Sequence, residues 1–388
     1  MRKPLEGLRM IDLTHMLAGP YGAMILSDLG ADTVKVEPPV TGENTRRLLE
    51  KDPNNSINGM GAYYFTLNRN KRSVTLDLKN PEDLATFYEL VKAADVVMNN
   101  FSAGVVEKLK IDYDTLSAIN PRIITCTVSG FGETGPANKR PAFDQIAQAL
   151  GGGMSITGKN EDDAIRAGIP IGDLGGGMFA VMGILAAVNA RHTTGRGQHV
   201  DISMLDCQMS MMNYMATMYS MSGDIPKPMG NSHFVHVPYD TFKTKTDMIV
   251  IACVGEKFWP LLLDLIEDDA LRDKRFEFAP GRLAEKEYIT ERINKKLAQQ
   301  DADYWLERLE QARIPCARVN NIAQALKDPQ IIARNMNVEV FHPVSGSAHI
   351  PGNPIKLSDT DGDTFSPPPL LGAHNEEVMQ DWLVRNKD

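Results

Sequence analysis

One carboxylate in the sequence is set among glycines in a way that suits covalent chemistry. Asp173 follows Gly172 and precedes a Leu-Gly-Gly-Gly run. Because glycine carries no Cβ, the atoms of a ligand can approach the backbone on both sides of this acid. A carboxylate in such a place can act as a nucleophile toward an acyl group. The alternative is structural, since Asp is also a favoured residue at the N-cap of a helix.

Basic residues occur at two places where phosphate groups could bind. The Asn-Arg-Asn-Lys-Arg-Ser turn at residues 68–73 puts three cations just before a predicted strand, and Lys139-Arg140 follows a Gly-Pro pair. Cations at the carboxyl edge of an α/β sheet suit phosphates, whereas the alternative for each is a solvated basic turn. His15 lies in the first strand-to-helix loop, and the histidines and cysteines show no metal-ligand spacing.

The elements that would position these residues alternate between strand and helix. The apolar patterns predict strands at 8–13, 32–37, 73–78, 95–98 and 123–128, and helices at 21–29, 81–93 and 113–120. Such alternation predicts an α/β fold with a parallel sheet that is covered on its faces. A buried helix is expected at 174–190, and a methionine-rich helix is expected at 204–221.

The rest of the chain predicts a second, smaller domain. A Pro- and Gly-rich linker at 222–238 precedes an α+β domain at 239–325, with a hairpin, several helices and a closing strand. The tail is β-rich and Pro-rich, ends in a short helix, and is expected to pack back on the first domain. We therefore predict a discontinuous large Rossmann-like domain, 1–221 and 326–388, and a small domain, 239–325.

Composition and charge exclude several classes of function. The 388 residues carry a net charge of −9, which argues against a general nucleic-acid binder. The four scattered cysteines indicate reduced thiols, and no signal sequence or membrane span is expected, so the cytoplasm is the predicted location. No GxGxxG motif follows the first strand, which disfavours a dinucleotide dehydrogenase.

Taken together, these segments resemble the class III coenzyme A transferases over nearly the whole chain. The motifs that carry the resemblance are LxxxDLTHxLAGPxG at 8–22, LGADTVKVEPP at 29–39, NRNKRSVTLDLK at 68–79, ADVVMNNF at 94–101, INPRIITCTVSGFGETGP at 119–136, PAFDQIAQALGG at 141–152, IGDLGGGMFAVMGILAAV at 171–188, TGRGQHVDISMLD at 194–206 and LGAHNEEV at 371–378. So many matches in order make the resemblance highly specific.

The resemblance implies a role for particular residues. The family nucleophile aligns with Asp173, and the substrates would be acyl-CoA and a small carboxylic acid, with coenzyme A as the group transferred and no metal. The residues expected to bind coenzyme A are His15, Leu17, Ala18, Lys71, Arg72, Asn100, Phe101, Lys108, Lys139, Arg140 and Phe143. An arginine that some members carry after the second strand is replaced here by Pro38-Pro39.

The implied mechanism passes through covalent intermediates on Asp173. Its carboxylate would attack the acyl-CoA carbonyl to form a mixed anhydride, and the released thiolate would then form an aspartyl-CoA thioester. We expect backbone N–H groups around Gly175 and Gly176 to stabilise the oxyanion, and Asp144 to have a supporting role. The family also implies an interlocked homodimer with a Rossmann-like large domain in each chain.

Other activities remain as alternatives. The 2-methylacyl-CoA racemases of the same superfamily place a histidine where this chain has Phe143, and phenylalanine cannot transfer a proton, so the transferase is preferred. The region around Val254-Gly255-Glu256 lacks the glycine run of some formyl-CoA transferases, which disfavours formyl or oxalyl groups. Outside the superfamily, a non-catalytic CoA-binding protein and a nicotinamide-dependent oxidoreductase remain open.

Overall fold

The computed structural model describes residues 2–162 and 164–384 of the chain. These residues divide into two compact units. The first comprises the chain up to Gly153, residues Arg166–Asp224 and the chain from Pro329 onward, and the second comprises Met154–Ile165 and Ile225–Asp328. In this division the second unit also includes a short excursion, Met154–Ile165, and most of the linker predicted at 222–238, both of which the sequence prediction placed outside the small domain.

The first unit begins with alternating strands and helices. Its strands are β1 (Arg9–Asp12), β2 (Asp32–Glu37), β3 (Ser56–Ile57), β4 (Met60–Gly61), β5 (Lys71–Thr75), β6 (Val96–Asn99), β7 (Ile124–Ser129) and β8 (His199–Ser203). Its helices up to the second unit are α1 (Ala18–Asp28), α2 (Ala62–Leu67), α3 (Pro81–Ala93), α4 (Val105–Leu109), α5 (Tyr113–Ile119), α6 (Asp144–Leu150), α7 (Ile171–Thr194), α8 (Met204–Met212) and α9 (Tyr214–Ser222).

The later part of the chain completes both units. The second unit holds β9 (Tyr239–Lys243), β10 (Met248–Ala252), α10 (Phe258–Ile266), α11 (Ala279–Ala284), α12 (Lys286–Leu297), α13 (Ala302–Gln311), β11 (Cys316–Arg318) and α14 (Ile322–Ala325). The chain then returns to the first unit with α15 (Pro329–Ala333), β12 (Asn337–His342), β13 (Gly346–Pro351), α16 (Asn375–Met379) and a π-helical turn, Gln380–Val384.

A six-stranded parallel sheet organises the first unit, with strand order β5-β2-β1-β6-β7-β8. The predicted parallel α/β sheet is confirmed. The edge strand β8 was not predicted, because its five residues directly follow a Gly-rich turn and alternate only weakly. The strand order reverses at β1, so the loops after β1 and β6 diverge at the carboxyl edge and leave a crevice for a ligand.

Successive residues of the central strands point to opposite faces of the sheet, and each face packs into its own hydrophobic core. Met10 and Val96 pack with α1 and α7, whereas their neighbours Ile11 and Val97 pack with α3, α5 and the C-terminal turn. This period of two is what a strand buried on both faces requires. The C-terminal turn is held by Trp382, whose indole N–H donates to the Asp32 carboxylate at 2.7 Å.

The methionine-rich segment forms two helices rather than the single helix expected at 204–221. Asn213 separates α8 from α9 with φ at 46° and ψ at −124°. These angles lie outside the α-helical region, so the backbone cannot continue a regular helix through Asn213. The break directs α9 away from the line of α8, and several of its large apolar side chains are exposed.

Helix α7 is long and apolar enough to cross a membrane by composition alone. In this structure it packs instead against α1 and β7, and it contributes Ala180, Val181, Ile184 and Ala187 to the core of the first unit. Its contact with α1 is close, because a Cβ on Gly177 would lie 2.6 Å from the carbonyl oxygen of Ala18. The missing Cβ therefore sets how near these two helices approach.

The second unit is built on a small antiparallel sheet. Its strands are arranged in the order β11-β10-β9, and the hairpin of β9 and β10 pairs Phe242 with Ile249. Both side chains are buried with residues of α10, α12 and α13, including Trp259, Ile293 and Trp305. This arrangement agrees with the α+β pattern of hairpin, helices and closing strand that the sequence indicates.

We predict that Gly177→Ala destabilises the protein by about 1–2 kcal/mol in urea unfolding. Alanine is favoured over glycine in a helix by about 1 kcal/mol, but overpacking against the α1 backbone costs about 1–3 kcal/mol, and that backbone cannot rotate away as a side chain could. Gly168→Ala is the control, since its Cβ would meet nothing within 4 Å. A Gly177→Ala protein as stable as the wild type would contradict the close crossing.

Candidate functional site

The loops at the carboxyl edge of the parallel sheet surround a cavity of about 470 Å³ in the first unit. It lies at the point where the strand order reverses. Its walls come from the loops after β1, β6 and β7 and from the start of α7. The lining residues are His15, Met16, Leu17, Ala18, Asn44, Tyr63, Asn100, Phe101, Ser102, Ala103, Val128, Ser129, Gly130, Asn138, Arg140, Pro141, Ala142, Phe143, Asp173 and Met204.

Asp173 lines this cavity from the first turn of α7. Pro170 occupies the N-cap of the helix, so Asp173 stands at the third helical position and is not the N-cap residue of the structural alternative. A negative charge in the first turn is favourable beside the positive end of the helix dipole. The carboxylate is partly buried, and it therefore faces the cavity from a position that the helix holds rigid.

A second carboxylate, that of Asp144 on α6, caps this helix from outside. Its Oδ1 accepts hydrogen bonds from the N–H of Gly172 at 2.8 Å and from the N–H of Asp173 at 3.3 Å. Its Oδ2 accepts from Nε2 of Gln148 at 2.7 Å. Proline has no side-chain acceptor for the unpaired N–H groups at a helix start, and Asp144 supplies one.

The surroundings of Asp173 shift its ionisation toward neutral pH. Burial raises the pKa of Asp173 to about 6, and the negative charge of Asp144 adds to the effect. The group is still ionised at pH 7, yet it is more basic than an ordinary carboxylate. A more basic carboxylate is a stronger nucleophile, and perturbed acids of this kind cluster at functional sites.

The expected oxyanion role of Gly175 and Gly176 has to be corrected. Both glycines lie inside α7, where each N–H donates to the carbonyl four residues earlier. The absent Cβ atoms serve packing: one on Gly176 would lie 3.2 Å from Cγ of Met204, and one on Gly175 would lie 2.7 Å from Cε of Met211. The N–H groups of Gly172 and Asp173 are likewise bound, to Asp144. None of these four N–H groups is therefore free to donate into the cavity.

The loops after β1 and β6 are joined by a reciprocal pair of hydrogen bonds. The His15 N–H donates to Oδ1 of Asn100 at 2.8 Å, and Nδ2 of Asn100 donates to the His15 carbonyl at 2.7 Å. The His15 and Phe101 rings lie 5.8 Å apart. Burial, with the nearby Lys35 ammonium, lowers the pKa of His15 to about 4, so a neutral imidazole lines the cavity beside Leu17 and Ala18.

Beneath this loop lies a buried cluster of charges. Asp12 contacts the ammonium groups of Lys71 at 2.9 Å and of Lys35 at 3.4 Å, and all three side chains are almost fully buried. The same carboxylate accepts from the N–H and hydroxyl of Thr14, while Lys35 donates to the Thr14 carbonyl at 2.8 Å. The cluster thus anchors the residue that precedes His15.

The expected phosphate contacts of Lys71 and Arg72 are corrected by these distances. The Lys71 amine is sealed under the loop by Asp12 and Asn68, where no phosphate reaches it. The Arg72 guanidinium pairs with Asp32 at 2.7 Å, and with Glu377 and Asp381 in the C-terminal segment. Lys71 and Arg72 therefore stabilise the fold through these ion pairs.

The remaining basic residues differ in their relation to the cavity. Arg140 is the one cation among the described lining residues, and its guanidinium lies 5.2 Å from the centre of the Phe131 ring. Lys108 on α4 and Lys139 are exposed and stand outside the described lining. The structure therefore brings Arg140 together with Asp173 and the His15 loop, and leaves the two lysines apart.

Several lining residues escaped sequence reasoning. Asn44 and Tyr63 come from a stretch to which no element was assigned, Ser129 is the last residue of β7, and Asn138 lies in the loop that follows it. Burial raises the pKa of Tyr63, and the negative charge of Asp173 adds to the shift, so the phenol lies near the carboxylate. The signal that could have found Ser129 is its place directly after the predicted strand 123–128. Within the described residues no cluster of His, Cys, Asp and Glu has the make-up of a metal site.

Comparison with known proteins adds independent information. A family model described as CoA-transferase family III matches residues 5–375. The acetyl-CoA:oxalate CoA-transferase of Acetobacter aceti is 38% identical over 92% of this chain and 90% of its own length. The succinyl-CoA:mesaconate CoA-transferase of Haloarcula hispanica is 38% identical over 97% and 96%. A CAIB/BAIF family protein from Brucella suis superimposes with a TM-score of 0.88 at 34% identity, over 98% of this chain and 100% of its own.

We predict that Asp173→Asn stabilises the protein above pH 6. The pKa of Asp173 is raised from 3.8 to about 6 on folding, so the folded state prefers the protonated acid and stability falls as pH rises from about 4 to about 6. The neutral amide escapes this loss. Allowing for partial exposure, we expect a gain of about 1–2 kcal/mol at pH 8, which disappears toward pH 4.

Urea unfolding at pH 4.5, 6 and 8 measures this difference. Asp206→Asn is the matched control, because Asp206 is an exposed acid at the third position of α8. Its replacement removes only a favourable interaction with the helix dipole and brings no gain at any of the three pH values. An Asp173→Asn protein no more stable than the wild type at pH 8 would contradict the raised pKa.

Proposed function

This chain belongs to CoA-transferase family III, and we propose that it moves coenzyme A from an acyl-CoA to a short dicarboxylic acid through covalent intermediates on Asp173. Transfer of coenzyme A between carboxylic acids is the activity of the family. The observation that carries the finer proposal is the position of Asp173, a rigidly held carboxylate with a raised pKa at the wall of the cavity.

The proposed reaction consists of acyl exchanges that balance without ATP. A carboxylate oxygen of Asp173 attacks the acyl-CoA carbonyl carbon, the C–S bond breaks, and the CoA thiolate leaves a mixed anhydride. The thiolate then attacks the Asp173 carbonyl of the anhydride, which releases the donor acid and leaves an aspartyl-CoA thioester. The acceptor carboxylate repeats both steps in reverse and regenerates Asp173. Exclusion of water matters throughout, because an anhydride hydrolyses readily.

The residues around Asp173 support distinct parts of this sequence. With the helix N–H groups bound to Asp144, the phenol of Tyr63 and the amide of Asn44 are neutral donors that line the cavity near the reacting carbonyl. Such donors stabilise a developing oxyanion. Phe143 lines the same cavity and is largely exposed, and it has no proton to give to an α-carbon, which supports a transferase over a racemase.

The coenzyme A itself would bind along the crevice at the carboxyl edge of the sheet. The hydrogen-bonded pair of His15 and Asn100 holds two loops of this crevice together, and the neutral His15 and Phe101 rings offer an apolar surface. Arg140 is placed to attract a phosphate at the cavity wall. Exposed Lys108 and Lys139 would add to this attraction at longer range.

The names of the relatives support a dicarboxylic acid as the acceptor. Oxalate and mesaconate each carry two carboxylates, one for the covalent exchange and one for recognition. The missing glycine run around Gly255 disfavours oxalyl and formyl groups, while one relative is named for oxalate. Oxalate therefore belongs in any panel of acids beside longer dicarboxylates such as succinate and mesaconate.

We also propose an interlocked homodimer in the cytoplasm. Helices α7, α8 and α9 expose large apolar side chains, among them Met178, Met182, Met209 and Met218. A run of such residues on a soluble chain indicates a protein interface, and the family resemblance implies the partner is a second copy. The four cysteines are free thiols, as expected for a reducing compartment.

Trapping of the intermediate tests the function. We expect incubation with acetyl-CoA or succinyl-CoA, followed by hydroxylamine or borohydride, to change the mass of the peptide that contains Asp173. Asp173→Ala should show no such change with any donor. Failure of every donor to label, together with deuterium exchange at the α-carbon of a 2-methylacyl-CoA, would contradict the transferase and favour the racemase.

The phosphate contact is tested by Arg140→Ala. We expect about a tenfold rise in the KM for acyl-CoA, the loss of roughly one charge-assisted hydrogen bond, with the KM for the acid unchanged. Lys92→Ala is the control, because Lys92 is an exposed cation near the end of α3, where the chain enters β6 at the opposite edge of the sheet, and it is outside the described lining. Steady-state kinetics at low and physiological salt measure both values. A rise confined to the acid would contradict a phosphate role.

A further inference from the structure

Gln148 is a buried glutamine whose side-chain amide connects Asp144 to the segment that precedes α7, the helix that carries Asp173. It is only 1% exposed. Its Nε2 donates to Oδ2 of Asp144 at 2.7 Å, and its Oε1 accepts from the N–H of Ala167 at 2.9 Å. A glutamine is unusual in having a donor and an acceptor on one planar group, and both are used here.

The positions of these partners explain why the bridge matters. Gln148 follows Asp144 by four residues on α6, so the two side chains lie on the same face of that helix. The Ala167 N–H belongs to the short segment that leads into Pro170 and α7. The chain leaves the first unit at Gly153 and returns to it at Arg166, so Gln148 binds the main chain one residue after its return.

We propose that Gln148 is a positioning residue for the reaction: it fixes the Asp144 carboxylate against the start of α7 and ties down the segment that precedes the nucleophile. Asp144 would otherwise be free to rotate about its side-chain torsions and release the N–H groups of Gly172 and Asp173. This inference rests on the proposed function of Asp173.

The proposal distinguishes two substitutions of Gln148. Methionine has a similar length but neither donor nor acceptor, so Gln148→Met leaves Oδ2 of Asp144 and the Ala167 N–H without their partner. Glutamate retains the shape, and when protonated it can donate to Asp144 and accept from Ala167. Because two adjacent carboxylates share a proton readily, one of them ionises only at a raised pH. Gln148→Glu should therefore hold the bridge at low pH and lose it as pH rises.

The experiment measures kcat and KM from pH 5.5 to 8.5, with whichever of acetyl-CoA and succinyl-CoA labels Asp173 in the wild type. We expect Gln148→Met to lower kcat by about tenfold to a hundredfold, as for a misplaced nucleophile, with the KM for acyl-CoA unchanged. The activity of Gln148→Glu relative to the wild type should be highest near pH 6 and fall toward pH 8. A role in packing alone would give a ratio that does not change with pH.

Gln208→Met is the matched control, since Gln208 is another buried glutamine of the first unit and its Oε1 has no partner among the described residues. It should not reproduce the loss in kcat. Where Gln148→Met does not fold, as judged by its thermal transition, the pH ratio of Gln148→Glu carries the test. Combination of Gln148→Met with Asp144→Asn should cost no more than the larger single effect, because both act through one contact.

The outcomes separate this inference from the proposed function. If Asp173→Ala removes the trapped intermediate but Gln148→Met keeps full kcat, or Gln148→Glu shows a flat pH ratio, the positioning role is wrong and the function stands. If no acyl-CoA labels Asp173, the proposed function fails. The bridge is then tested without substrate, from the unfolding stability of Gln148→Glu between pH 6 and 8. This stability should fall as the bridge ionises, and a stability that does not change with pH would contradict the bridge.

Discussion

A carboxylate from a neighbouring helix closes the start of α7, and the geometry of the site depends on that contact. Pro170 at the N-cap offers no side-chain acceptor, so the first N–H groups of the helix need one from elsewhere. Asp144 binds the N–H groups of Gly172 and Asp173. Because this acceptor is charged, it also helps burial to raise the pKa of Asp173. One interaction thus both positions the Asp173 carboxylate and makes it more basic.

Most of the charged side chains near the site form ion pairs within the protein and are not available to bind a substrate. Asp12, Lys35 and Lys71 are buried together beneath the His15 loop, and a buried charge is stable only while its partners stay in place. Their mutual dependence makes the loop after β1 a rigid wall for the crevice. Recognition of an anionic substrate is then left to exposed cations such as Arg140, which give up less hydration when a phosphate binds.

The glycines around Asp173 also act through packing. The glycines of α7 allow α1, β7 and α8 to approach this helix without a Cβ between them. The helix that carries Asp173 is therefore closely packed among its neighbours. A helix body has no free N–H groups, so the same glycines cannot also stabilise an oxyanion. At these positions close packing inside a helix and a free N–H donor cannot both occur. In the proposed function, side chains such as Tyr63 would therefore donate hydrogen bonds to the oxyanion.

The sequence by itself determined the parallel α/β sheet and the elements along most of its strands, because these follow from local periodicity, and its contiguous motifs singled out Asp173 as the candidate for the reaction. It missed β8, whose pairing partner β7 lies some 70 residues earlier. The sequence also predicted phosphate contacts for Lys71 and Arg72 and an oxyanion role for Gly175 and Gly176. In the structure the two cations pair with carboxylates, and the two glycines lie inside α7. Residue type and spacing cannot say whether a cation points to solvent or to a buried carboxylate. Only the tertiary structure decided that, because Asp12 and Asp32, the partners of Lys71 and Arg72, come from strands that are distant in the sequence and close together only in the folded sheet.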